Sequence, residues 1–232
     1  MKKTMSLLAI AGLVLALAPA AQAEPIVTPG DGYAGPYRLV FATSSHPMAD
    51  ASRDMDDFDT DVTAAANAVA ELLALGTTWQ CLGSTTAIDA RDHTGTNPSS
   101  TGIPIYTTTG LRVADDNADL WDGTIQNAIW LDDGTSPGSD TQVIFENATW
   151  TGTNSNGTAA SSGDGLQMGG DWNIRISRGG RTDSGWMSGV SLNGTDTRGA
   201  RMYGISGVIP EPATMSLLAI GGIALIRRRR RA

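Results

Sequence analysis

The chain has 232 residues, of which 41% are hydrophobic and only 17% charged, and 28 of them are glycine. A helical bundle or coiled coil needs more charge and far less glycine, so both are excluded. The formal net charge of −8 argues against a nucleic-acid binder, which needs a basic face, and the single cysteine, Cys81, rules out an intrachain disulfide framework and a cysteine-based zinc site.

Residues 1–23 form a three-part pattern. Lys2 and Lys3 give a positive start, Ser6 to Leu17 is a short apolar stretch, and Pro19 breaks it before Ala21-Gln22-Ala23. This predicts a secretory signal peptide cleaved after Ala23, with Ala21 and Ala23 as the small residues that signal peptidase reads. An uncleaved anchor would need a longer apolar run.

Residues 24–36 are rich in Pro and Gly and read as a linker. Tyr37 to Thr43 alternates as a strand. Phe58, Val62, Ala65, Val69 and Leu72 follow at helical spacing and predict one buried helix face. Asp54, Asp56 and Asp57 crowd its start, where the helix dipole favours negative charge, and Gly76 stands where a C-terminal cap is expected.

Thr77 to Leu82 reads as a strand, Ile103 to Tyr106 and Leu111 to Val113 as a hairpin around Thr109-Gly110, and Thr141 to Phe145 as another strand. Residues 151–200 are mostly Gly, Ser, Thr, Asn and Asp, the chemistry of long loops plugged by Trp172 and Trp186. Tyr203 to Ile209 closes the domain as a last strand.

The C-terminus mirrors the start. Pro210-Glu211-Pro212 precedes an uncharged run from Ala213 to Ile226, and Arg227, Arg228, Arg229, Arg230 and Arg231 follow before Ala232. Those 14 apolar residues make about 21 Å of helix against a hydrocarbon core of about 30 Å. A short span is feasible because arginines snorkel and the bilayer thins. The arginines hold that end inside, so residues 24–209 face outward from the cytoplasmic membrane. That exported part carries 23 carboxylates against nine arginines and no lysine, a net −14. Such a surface repels anionic polymers and attracts divalent cations or basic partners, although plain solubility accounts for most of the charge.

Asp115, Asp116, Asn117, Asp119 and Asp122 are the candidate calcium ligands, because calcium wants six to eight oxygens and clustered short carboxylates supply them. Asp132 and Asp133 are further candidates. The same residue types are also ordinary turn formers. Asp57 to Asp61 opens like an EF-hand loop but places Val62 where Gly is required and Ala68 where Glu is required. Asp183-Ser184-Gly185 lacks a Gly-x-Ser-x-Gly frame, and His46 and His93 are expected as solvated loop histidines rather than a triad base. The tryptophans are assigned mainly to the core, with Trp79 and Trp150 the first choices, and Cys81 is expected as a small buried hydrophobe. Asn147, Asn156 and Asn193 lie in Asn-x-Thr sequons that are read as incidental.

Pro210-Glu211-Pro212, the apolar segment 213–226 and the arginine cluster 227–231 together resemble the PEP-CTERM sorting signal. The resemblance implies recognition by an exosortase-type membrane enzyme and passage from the inner membrane to the cell surface or extracellular matrix. An ordinary single-pass anchor would give the same topology. Residues 37–209 resemble a C-type-lectin-like domain, and Trp150-Thr151-Gly152-Thr153-Asn154 is similar to a segment of its endostatin-like branch. So are Gly76 to Trp79 with Ile103 to Tyr106. Val113 to Gly123 looks like a segment of exported proteins built this way. The chain departs from that branch in its lone cysteine, and His46 and His93 do not match the zinc site of animal endostatin. The fold class implied is α+β, a short helix with twisted antiparallel strands and long loops, in which the first and last strands pair. The implied role is non-enzymatic binding of a glycan or a surface protein. The alternative is a secreted hydrolase acting on polysaccharide through Asp residues.

Overall fold

The computed structural model describes residues 27–50, 52–136, 138, 147–160, 166–170, 173–192 and 199–210. The expected signal peptide, the tail beyond Pro210, the strand expected at 141–145 and Trp172 lie outside the described residues.

The protein is mixed α/β, and the described residues include a sheet of eight strands. The strands are β1 (Arg38–Ala42), β2 (Trp79–Cys81), β3 (Ile105–Thr107), β4 (Arg112–Ala114), β5 (Ala148–Trp150), β6 (Ile174–Arg178), β7 (Ser191–Leu192) and β8 (Arg201–Ser206). Their order is β4-β3-β1-β8-β5-β6-β7, and β2 also pairs with β8. The expected pairing of first and last strands is present: β1 runs antiparallel to β8, with Val40 opposite Ile205 and Ala42 opposite Tyr203. The other edge of β8 is shared between β5, parallel at Arg201 and Met202, and β2, antiparallel from Gly204 to Ser206.

Leu39 to Ala42 is a run of four apolar residues because the sheet is covered on both sides. Leu39 and Phe41 join one core cluster, with Phe58, Val62 and Trp150, while Val40 and Ala42 join the other, with Ile105, Trp121 and Trp186. Gly204 is required between them, since a Cβ there would stand 2.7 Å from the Phe41 ring. That ring meets Trp79 edge-on at 5.1 Å.

Helix α1 (Met55–Ala68) begins at a capping box. The Asp54 carboxylate accepts from the N–H groups of Asp56 and Asp57, and Asp57 reaches back to the Asp54 N–H. The EF-hand-like start is thus a helix start. The expected single helix through Leu72 is broken at Val69, whose backbone is extended (φ −99°, ψ 117°), and α2 (Ala70–Ala74) follows. A β-branched residue adopts that extended conformation readily. Ala66 rather than Ala65 is fully buried as a result of the register α1 adopts. Gly76 takes φ 58°, the left-handed turn expected past the helix end.

The hairpin forms as expected, β3 antiparallel to β4, while β3 runs parallel to β1. Strand β6 was not expected. Its sequence Ile-Arg-Ile-Ser-Arg alternates over its first four residues, but flanking Gly, Ser and Asn residues give the region a loop composition. Helix α3 spans Ala90–His93 and α4 spans Asn117–Leu120. Trp79, Trp121, Trp150 and Trp186 are buried, whereas Trp130 is only half-buried.

The sheet has two poles. At one, β1 begins and β8 ends: Tyr37 and Ile209 exchange both backbone hydrogen bonds, at 3.1 and 2.8 Å. Ile209 is buried and Pro210 is exposed, so the fold closes one residue before Pro-Glu-Pro continues. At the far pole, β1 ends and β8 begins. Among the described residues no helix is long and apolar enough to cross a membrane, and the expected segment 213–226 lies outside them.

Candidate functional site

The acidic stretch resolves into separate local tasks. Asp116 caps α4, accepting from Ala118 N–H at 2.8 Å and Asp119 N–H at 2.9 Å. Asp119 accepts from Asp115 N–H at 2.7 Å and from Gln126 at 2.9 Å. Asp122 closes an Asx turn on Thr124. Asn117 is buried and its amide donates to Ser100 Oγ at 3.1 Å and to the Asn97 and Ser100 carbonyls. Asp115 pairs with Arg112 at 2.7 Å. Asp132 and Asp133 fare likewise: Asp132 is buried and accepts from Ser44, and Asp133 accepts from Thr135. In this structure these carboxylates are engaged by backbone amides and by Arg112, Gln126, Ser44, Thr124 and Thr135. Among the described residues no group of three or more His, Cys, Asp or Glu side chains is placed to hold a metal ion.

Arg112 is the centre of a network that the linear sequence conceals. Its Nη2 donates to the Tyr106 hydroxyl at 2.6 Å, Nε donates to Asp31 at 2.8 Å, and the guanidinium lies 5.2 Å from the centre of the Tyr106 ring. The Tyr106 hydroxyl donates in turn to Asp31 at 3.1 Å. Hydrogen bonds from Tyr33 N–H and Arg112 hold the Asp31 carboxyl below its ordinary range. Burial, with the Asp31 bond added, pushes the Tyr106 phenol up to about 12. Burial also raises Tyr37 and Tyr203.

These shifts set an alkaline limit. A phenol whose pKa is higher folded than unfolded contributes stability below about pH 10 that is lost as pH rises through the folded value. An absorbance titration of the folded protein is expected to show phenol ionisation extending to higher pH than in guanidinium, where the four tyrosines titrate near 10, with Tyr106 ionising only at about 12. Four equivalent tyrosines titrating near 10 in the folded state would contradict this.

His93 departs from expectation. It lies in α3 with its side chain 12% exposed, and Nε2 is 2.9 Å from Asp59 Oδ1. That same oxygen accepts from the Cys81 backbone N–H at 2.7 Å, so Asp59 ties α1 to β2 and α3. The Cys81 thiol is buried, as expected, and burial raises its pKa strongly. The shared Asp59 oxygen makes the His93–Asp59 pair a cross-brace between α1, β2 and α3. His46 is exposed at the far pole. Ser184 sits in a short 3-10 turn capped by Asp183.

The far pole also carries a groove of about 260 Å³. It is lined by residues 53–56 at the start of α1, by Thr85, Thr86 and Ala87, and by Met168 and Gly169. Thr85 bridges Met168 strand-to-strand, which fixes the floor. Arg53 is held in place over the Phe58 ring at 4.9 Å, donates to the Met48 carbonyl at 2.6 Å and pairs with Asp61. Its neighbours Thr86 and Asp56 are exposed at the rim. None of these residues drew notice as a group in the sequence, because they come from three separated segments.

Of the residues expected to form the sorting signal, Pro210 is described and exposed, whereas Glu211, Pro212 and Arg227 to Arg231 lie outside the described residues, as do Ala21 and Ala23. A profile of the PEP-CTERM protein-sorting motif matches residues 208–231. No curated protein matches the chain. The match identifies the C-terminal segment as a PEP-CTERM sorting motif, which marks an exported protein sorted toward the cell surface by exosortase.

Proposed function

We propose that residues 37–209 are a non-enzymatic recognition module of the C-type-lectin-like kind, held at the inner membrane by the tail during sorting and then displayed in the envelope or matrix. The observation that carries this reading is polarity: the root of the tail, at Ile209, and the groove beside Thr85 lie at opposite poles of the sheet. A chain anchored by its C-terminus presents that groove away from the membrane. Pairing of β1 with β8 and a helix on one face of the sheet support the lectin-like assignment.

The groove favours a neutral, hydroxyl-rich ligand such as a glycan. Threonine hydroxyls and carboxylates exchange hydrogen bonds with sugar hydroxyls, and Met168 offers an apolar floor. Asp54, Asp56 and the net −14 of residues 24–209 repel acidic polymers.

Glycan-array binding of the full chain in detergent tests the reading. Neutral glycans are expected to bind, and Thr86→Trp, which fills the groove from an exposed position, is expected to weaken binding at least about tenfold with the far-UV spectrum unchanged. No glycan binding, or binding indifferent to Thr86→Trp, would overturn it. So would polysaccharide turnover lost on replacing an Asp, which is the hydrolase outcome.

A further inference from the structure

We propose that the pole from which the tail emerges is a bilayer-docking surface, so that the domain rests on the outer membrane–water interface while the tail is attached. This rests on the anchored reading above and adds the surface and its partner, a phospholipid interface.

The first observation is spacing. Ile209 is locked to Tyr37 by two backbone hydrogen bonds, and the uncharged segment begins at Ala213. Residues 210–212, fully extended, span about 10 Å. A body tethered that closely cannot stand clear of the headgroups.

The second observation is the chemistry of the pole. Segments 34–37, 73–78 and 207–210 contain no charged residue, in an exported part whose net charge is −14. Topology brings them together: Tyr37 bridges Ile209, and the Gly207 N–H donates to the Thr78 carbonyl at 2.8 Å. Of the exposed large hydrophobic side chains among the described residues, the two most exposed are Leu73 at 55% and Val208 at 54%. Both belong to these segments. The nearest charges in sequence are Glu211, which follows Pro210 in the tether, Glu71 on α2, and Arg38, whose guanidinium is drawn away to the Thr94 carbonyl.

The third observation is the distribution of charge around this pole. An anionic leaflet repels the carboxylate-rich body and tolerates the uncharged pole, so electrostatics and the short tether select the same orientation. Leu73 and Val208 then enter the interface, where apolar side chains gain by leaving water.

The test uses the full chain reconstituted into phosphatidylethanolamine–phosphatidylglycerol vesicles containing a doxyl-labelled quencher lipid. Leu73→Cys and Val208→Cys carry an environment-sensitive fluorophore, with Met48→Cys at the far pole as the control. Native Cys81 is buried and stays unlabelled. The expected result is quenching at residues 73 and 208 at least threefold stronger than at residue 48. Hydrogen exchange of the unmodified chain is expected to slow at 73–78 and 207–209 when vesicles are present, which checks the result without substitutions. If the chain floats with the vesicles but positions 73 and 208 are no better quenched than 48, the docking surface is wrong and the anchored reading stands. If the chain does not float at all, both fail. If those positions become protected only when the processing enzyme is added, the surface belongs to a protein partner and the bilayer proposal is overturned.

Discussion

Gly152→Val is expected to cost more than about 4 kcal/mol, a large share of the roughly 5–15 kcal/mol that holds a domain together. Two effects combine. The residue adopts φ 58°, where a β-branched side chain is strained. Its Cβ would also stand 2.4 Å from both the Met168 nitrogen and the Ser84 carbonyl oxygen. Those two atoms form a 2.9 Å hydrogen bond with each other, so neither can retreat without breaking it. The bond joins the segment after β2 to the floor of the groove, and Gly152 itself bonds Arg175 through its N–H and Ala160 through its carbonyl. Gly76→Ala is the control. Gly76 has the same φ of 58° but nothing within 4 Å of an added Cβ, so it carries the strain without the clash. It is expected to cost about 1 kcal/mol. Chemical denaturation of Gly76→Ala, Gly152→Ala and Gly152→Val separates the two contributions. Similar losses for both alanine variants would show that the close approach at Gly152 is unimportant.

Trp150→Ala is expected to destabilise the domain by about 3–5 kcal/mol. The indole is fully buried, and its N–H donates to the Pro47 carbonyl at 2.9 Å, joining β5 to the loop after β1. Trp186 makes the informative comparison. It is equally buried, but its indole nitrogen has no hydrogen-bond partner among the described residues. Trp150→Phe forfeits a hydrogen bond, worth about 1 kcal/mol, whereas Trp186→Phe removes a donor whose burial is uncompensated. Denaturant midpoints are therefore expected to fall further for Trp150→Phe than for Trp186→Phe, although the volume removed is the same. The reverse order would contradict this assignment of hydrogen bonds.

Short-range signals were legible in the sequence, and long-range ones were not. The three aspartates before Phe58 and the spacing of Phe58 and Val62 located α1, since caps and periodicity act within a few residues. Trp79, Trp150 and Cys81 were readable as core because a chain with 6% aromatic residues buries most of them. The acidic stretch was ambiguous in sequence because an aspartate is both a calcium ligand and a helix cap, and only three-dimensional placement shows that Asp116 caps α4. The bond from Arg112 to Asp31 spans 81 residues, and no local pattern announces it. His93 looked like a loop residue, but its role is fixed by Asp59, 34 residues away. The far-pole groove is invisible in sequence for the same reason, being assembled from residues 53–56, 85–87 and 168–169. Strand β6 was the legible exception that composition hid, as its alternating Ile174, Ile176 pattern lies among glycines and serines.

The most direct test of an exported domain that ends where its sorting motif begins is mass spectrometry of the intact protein recovered from the surface of its native host. The account predicts a chain beginning at Glu24 and ending near Glu211, with Arg227 to Arg231 removed. A surface-located chain that still carries all five arginines would contradict it.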